Sequence, residues 1–262
     1  MNRLSLVALA TAMAVGAGTP AFAVMIGSFV YNGAPTGGTY EIGDVNTNPA
    51  VIDYIGSQPG TVDGYTYTKY ALITGDGTGS VSVFGAFPAG NTYVPAVGDA
   101  IQATGTYSPF DGIPEVALTS SSVITRESAG NPVSAPLEVT IPTLDSIVTI
   151  PNYAISEYYL ELDNVTLTGA TAFATHANTT LTATDASSNT IEVYQWASSY
   201  SAAAVLGGTA VPAGLVDLTG IVDVFSSGPE FVPFTVTAVP EPASLALLGL
   251  GALALVRRRR AR

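Results

Sequence analysis

One stretch of the sequence brings large aromatic rings and a carboxylate to the same side of a strand. In Thr190 to Trp196, alternation turns Ile191 and Val193 one way and Glu192, Tyr194 and Trp196 the other. An earlier stretch repeats the pattern, with Phe84 in the place of Tyr194 and with Val81 and Val83 turned inward. Aromatic rings stack on the apolar faces of sugars, and a neighbouring carboxylate accepts hydroxyl hydrogen bonds. Phe84, Glu192, Tyr194 and Trp196 are therefore the candidate ligand residues, and a glycan is the candidate ligand. The competing expectation for Trp196 is packing, at the end of a core or under the Ala197 to Leu206 segment, because tryptophan rings are usually buried.

Other chemistries find little support. The one histidine, His176, lies in a polar loop, and no Gly-x-Ser-x-Gly sequence accompanies it. It is expected to be an ordinary exposed loop residue. Cysteine is absent, which removes disulfides, thiolate catalysis and Cys-ligated zinc. Carboxylates are plentiful, but nothing in their spacing selects the pair that glycoside hydrolysis needs. Asp76, Asp111 and Asp185 sit in Gly- or Ser-rich turns without the spacing of an EF-hand loop, so turn hydrogen bonding is expected of them rather than calcium. These residues predict a protein that is not an enzyme and holds no cofactor and no metal.

The elements that must position the aromatics are strands. Short runs rich in Val, Thr, Tyr and Ile, broken by Gly, Pro, Asn and Asp, predict an all-β chain. The clearest runs are Ala71–Thr74, Val81–Phe84, Ile101–Thr104, Leu160–Leu162, Thr190–Tyr194 and Phe234–Thr237. The chain also repeats. Thr104-Gly105, Phe110 and Pro114-Glu115 recur as Thr219-Gly220, Phe225 and Pro229-Glu230. Asp76 to Phe84 likewise parallels Asp185 to Tyr194. Each copy reads strand, turn, strand, connector, long strand, Pro-Glu turn and final strand, with the connector helical in copy two (Ala197 to Leu206).

This order resembles an OB-fold barrel, and the turn Asp76-Gly77-Thr78-Gly79 is similar to the hairpin between the second and third strands of such barrels. Tyr158 to Leu167 looks like the long, bent first strand of copy two, and Ala50 to Ile55 is the candidate in copy one. The expected architecture is two tandem five-stranded barrels, over 24–131 and 143–239, joined by a proline-rich linker at 132–142. Immunoglobulin-like and jelly-roll sandwiches are the alternatives. OB folds commonly bind nucleic acid, but that use needs a basic groove beside the aromatics. Residues 24–239 hold two bases, Lys69 and Arg126, against nineteen acids, a net charge of −17. So acidic a body repels phosphate backbones, and no nucleic-acid partner is expected.

The two ends carry addresses. Arg3, the apolar run Leu4 to Gly16 and the small-x-small box Ala21-Phe22-Ala23 form a secretory signal, residues 1–23. At 240–262, Pro240-Glu241-Pro242 precedes fourteen apolar or small residues and then Arg257, Arg258, Arg259 and Arg260. The prolines hold the first part extended, the apolar run is marginal for a bilayer, and the arginines hold their end on the cytoplasmic side. The order resembles the PEP-CTERM sorting signal of Gram-negative bacteria. That resemblance implies export, a C-terminal transmembrane helix tethering the chain to the inner membrane, and cutting near the motif by an exosortase, a membrane protease. It also implies a final place at the cell surface or outside it, among exopolysaccharide or biofilm material. The rival expectations are a secreted hydrolase using a carboxylate pair, an ice-binding protein and a calcium-dependent adhesion protein.

Overall fold

The computed structural model describes residue 26 and residues 37–43, 49–110, 114–147, 159–197, 204–225 and 228–240. The N-terminal signal with Ala21 and Ala23 lies outside them, as do Asp111, Tyr158, Glu241, Pro242, the apolar run and Arg257 to Arg260. Of the sorting motif only Pro240 is described, and it is exposed.

The chain is all-β and makes two closed five-stranded barrels. In the first, β2 (Ala50–Ser57) pairs with β5 (Tyr70–Gly75), and β5 with β6 (Ser80–Gly85). Strand β6 runs parallel to β8 (Glu115–Ala117), β8 pairs with β7 (Ala100–Tyr107), and β7 closes the ring on β2. The second ring repeats these pairings. Its strands are β11 (Leu160–Thr168), β12 (Thr179–Thr184), β13 (Thr190–Gln195), β14 (Leu215–Phe225) and β15 (Gly228–Ala238). Here β13 runs parallel to β15 and β14 closes on β11. Numbered within each copy, the strands go round in the order 1-2-3-5-4-1, the OB arrangement. All six of the strand runs named above fall inside strands. Ala50 to Ile55 is indeed the first strand of its barrel.

Alternation builds both cores. Val81, Val83, Ile101 and Ala103 are buried in the first, and Leu181, Ile191, Val193 and Leu218 in the second. The repeated glycines mark where the fourth strand bends close against the fifth. A Cβ on Gly105 would lie 2.6 Å from Val116 Cγ1, and one on Gly220 would collide with the Val232 carbonyl oxygen. The repeated aspartates tie the hairpins. Asp76 Oδ1 accepts from the Thr78 and Gly79 amides at 2.8 and 3.1 Å, and Asp185 Oδ1 from those of Ser187 and Asn189, each at 2.9 Å. Bonding from Asn189 holds the Asp185 carboxyl below its usual range. Both carboxylates thus do turn work. In β11 the expected bend is a bulge between Leu162 and Val165, with Asn164 at φ 54°.

Further strands extend this plan. On β7, β1 (Thr39–Ile42) continues the edge held by β2, and β9 (Ile124–Ser128) continues the edge held by β8. A hairpin of β3 (Gly60–Val62) and β4 (Tyr65–Tyr67) is inserted between the first two strands of barrel one. Segment 132–142, the proline-rich linker, contains β10 (Leu137–Glu138), which pairs with β11, and the start of helix α1 (Ile141–Ile147). It is stitched to both barrels. The Ser134 amide donates to Asp53 Oδ1 at 3.0 Å, and Ile141 and Leu144 are buried in the second core. Its prolines stop it from joining a central strand, but they do not stop a short edge pairing. Of the helical connector, residues 198–203 lie outside the described residues, and Ala204 and Val205 are helical.

Candidate functional site

The barrels meet through aromatic rings. Tyr54 of β2 stacks on Phe234 of β15 at 3.9 Å between centroids and 4° between planes, with Tyr159 stacked beside them. Burial pushes the Tyr54 hydroxyl up to about 12. Ile73, Val232 and Phe234 form a buried cluster across the junction, and Trp196 packs against it. The reason lies in β15. Phe231-Val232-Pro233-Phe234 is buried on both faces, as a strand is when one face lines a core and the other docks on a neighbour.

Beside this junction is a cleft of about 540 Å³. Barrel one contributes Ala71, Ile73, Ser82 and Phe84; barrel two contributes Trp196, Ile221, Val232 and Phe234. The β3–β4 hairpin and the residues after it add Tyr65, Tyr67 and Lys69. Two contacts fasten the hairpin to barrel two: Tyr65 stacks on His176 at 4.9 Å, and the Tyr67 hydroxyl donates to the Ala197 carbonyl at 3.3 Å. His176 is thus a half-buried bridging residue rather than the exposed loop residue expected, and its two ring nitrogens are buried without hydrogen-bond partners.

Of the four residues singled out in the sequence, two line the cleft. Phe84 and Trp196 come from different barrels and line the one cleft. Tyr194 sits against Trp196 edge-on at 5.0 Å, and its hydroxyl is bonded to the Asn178 side-chain amide. Glu192 is exposed opposite Thr182 and does not line the cleft. Phe234, Ile221 and Lys69 were missed as site residues. The available signal was the doubly apolar run in β15, which alternation alone does not explain.

Lys69 supplies the charge. Its ammonium lies 4.9 Å from the centre of the Phe84 ring. Glu115 is half-buried, and burial pushes its carboxyl up to about 7 while Lys69 pulls it back. Among the described residues no Asp or Glu lines the cleft, and no group of three His, Cys, Asp or Glu is placed to hold a metal. Glu192, Glu230 and Asp223 stand in register across β13, β15 and β14, none of them among the residues lining the cleft, with Glu230 and Asp223 buried. The cleft can therefore seat a flat, partly apolar ring and offer it one positive charge.

Comparison with known proteins places the other end of the chain. A family model for the PEP-CTERM protein-sorting motif matches residues 238–260. The chain carries a PEP-CTERM sorting signal. With that signal it is an exported protein sorted by an exosortase. The PEP-CTERM match spans only this end, and no curated protein matches the chain. Among solved structures, a murine DNA-binding protein bound with double-stranded DNA is 13% identical, with a TM-score of 0.37, over 72% of this chain and 97% of that one. A replication protein A heterotrimer bound to single-stranded DNA is 10% identical, with a TM-score of 0.28, over 91% of this chain and 73% of that one. Likenesses this distant assign no ligand, and the barrels rest on strand pairing alone. Among the described residues no helix is long and apolar enough to cross a membrane.

Proposed function

We propose that this exported PEP-CTERM protein is a non-enzymatic surface protein that binds a glycan of the extracellular matrix in the cleft between its barrels. One observation carries the reading: a cleft of about 540 Å³ walled by Tyr65, Tyr67, Phe84, Trp196 and Phe234. That volume lies in the ordinary range for a small-molecule site, and aromatic platforms suit the apolar faces of sugar rings. The absence of carboxylates among the described lining residues supports binding over hydrolysis, since a glycosidase needs two acids flanking the bond. Sorting first to the inner membrane and then to the surface would deliver the protein to such a ligand.

The test is retention on extracted exopolysaccharide. Tyr65 is 57% exposed, so Tyr65→Ala should leave the fold intact and cut retention several-fold. Trp196→Ala should cut it further, and both variants should keep the wild-type circular dichroism spectrum. Full retention by both folded variants would overturn the proposal.

A further inference from the structure

The two basic residues of the body have different duties. Arg126 lies 4.0 Å from Asp99, a buried carboxylate that also accepts the Tyr93 hydroxyl and the Ala96 amide. It helps to neutralise a structural charge. Lys69 has no ion-pair partner among the described residues. It is exposed, it follows the β3–β4 hairpin, and its ammonium sits near the Phe84 ring in the cleft wall. A body of net charge −17 has thus placed its only lysine at the aromatic cleft.

We propose, building on the glycan reading above, that the cleft selects an acidic sugar, whose carboxylate meets the Lys69 ammonium while its ring lies on the aromatics. The acidic body does not prevent this. Screening over about 8 Å at physiological salt leaves a ligand in the cleft governed by its nearest charges. Glu115, the acid that Lys69 pulls on, is itself partly protonated near neutrality because burial disfavours its charge. A single cation among rings matches one carboxylate per sugar better than the dense phosphates of a nucleic acid, which need a basic track along the strand. Neighbouring hydroxyls on Ser57, Thr66, Thr68 and Ser82 are of the kind that meets sugar hydroxyls.

The experiment compares oligogalacturonate with its methyl ester, which keeps the ring and removes the charge, on the purified full-length chain by calorimetry. The acid should bind about fivefold tighter at physiological salt, the scale of one exposed ion pair. Lys69→Gln should bring that ratio close to one, and Lys69→Arg should keep it. Equal binding of acid and ester by the wild type would overturn the acidic preference and leave the glycan reading standing. Binding of neither sugar would overturn both. A single-stranded oligonucleotide that binds more tightly than either sugar would overturn both in favour of nucleic acid.

Discussion

The two barrels share one ladder and use its outer face in opposite ways. On the second and third strands of barrel one, Ala71 stands opposite Phe84 and Ile73 opposite Ser82. The same rungs of barrel two hold Thr180 opposite Tyr194 and Thr182 opposite Glu192. Ile73 and Ser82 are buried against barrel two and the cleft, while Thr180, Thr182 and Glu192 are exposed. Backbone pairing, hairpin aspartate and closing glycine are common to both. A few outward side chains decide which face docks and which stays wet. The two ladders are equivalent in register, and these side chains make one of them a cleft wall.

The largest expected effect tests the docked face. Phe234 is 4% exposed and stacked on Tyr54 across the junction, so Phe234→Ala should cost about 3–5 kcal/mol in urea unfolding. Thr182→Ala, on the open face, should stay within about 0.5 kcal/mol. The single tryptophan, Trp196, packs beside the junction, so its emission should shift in the first variant and not in the second. Similar costs for the two would erase the distinction between the faces. Next in size are the closing glycines, which probe what the barrels share. Gly105→Ala and Gly220→Ala should each cost about 1–3 kcal/mol, because a Cβ meets the fifth strand in both copies. If Gly105→Ala were harmless while Gly220→Ala was not, the two closures would not be equivalent.

Much of each barrel was legible because its signals are local. Alternation identified the strands, the Asp-Gly-Thr-Gly turn identified a hairpin, and the repeat set the register between copies. The cleft was legible only in part. Phe84 and Trp196 stand out as outward aromatics, but their meeting depends on how two barrels pack, which no local pattern encodes. Glu192 shares a strand face with Tyr194 and still misses the cleft, because the strand continues past the junction onto the open face. Segment 132–142 carries structure that its sequence did not announce. Its prolines argue against a central strand, yet Leu137 and Glu138 need only an edge of β11. The β3–β4 hairpin lies outside the repeat, so comparing copies could not reveal it.

The smallest effect concerns the paired acids of the final strands. Glu115 stands beside Ser82 in register and is held at about 7, while its counterpart Glu230 stands opposite Asp223 instead of near a lysine. A carboxyl whose folded pKa is raised above the unfolded value near 4.5 binds its proton more tightly in the native state. Its contribution to stability is therefore full below pH 4.5 and declines as pH rises to about 7, after which the loss is constant. Glu115→Gln removes that loss. The variant should match the wild type near pH 4 and exceed it at pH 8 by roughly 1 kcal/mol, after allowance for the partial exposure of the group. Lys69→Gln should extend the window upward, because Lys69 is what pulls the Glu115 carboxyl back down. Urea unfolding at the two pH values measures both. A Glu115→Gln variant less stable than wild type at pH 8 would mean that the ionised carboxylate is a favourable partner in barrel one, and the contrast with Glu230 would then rest on register alone.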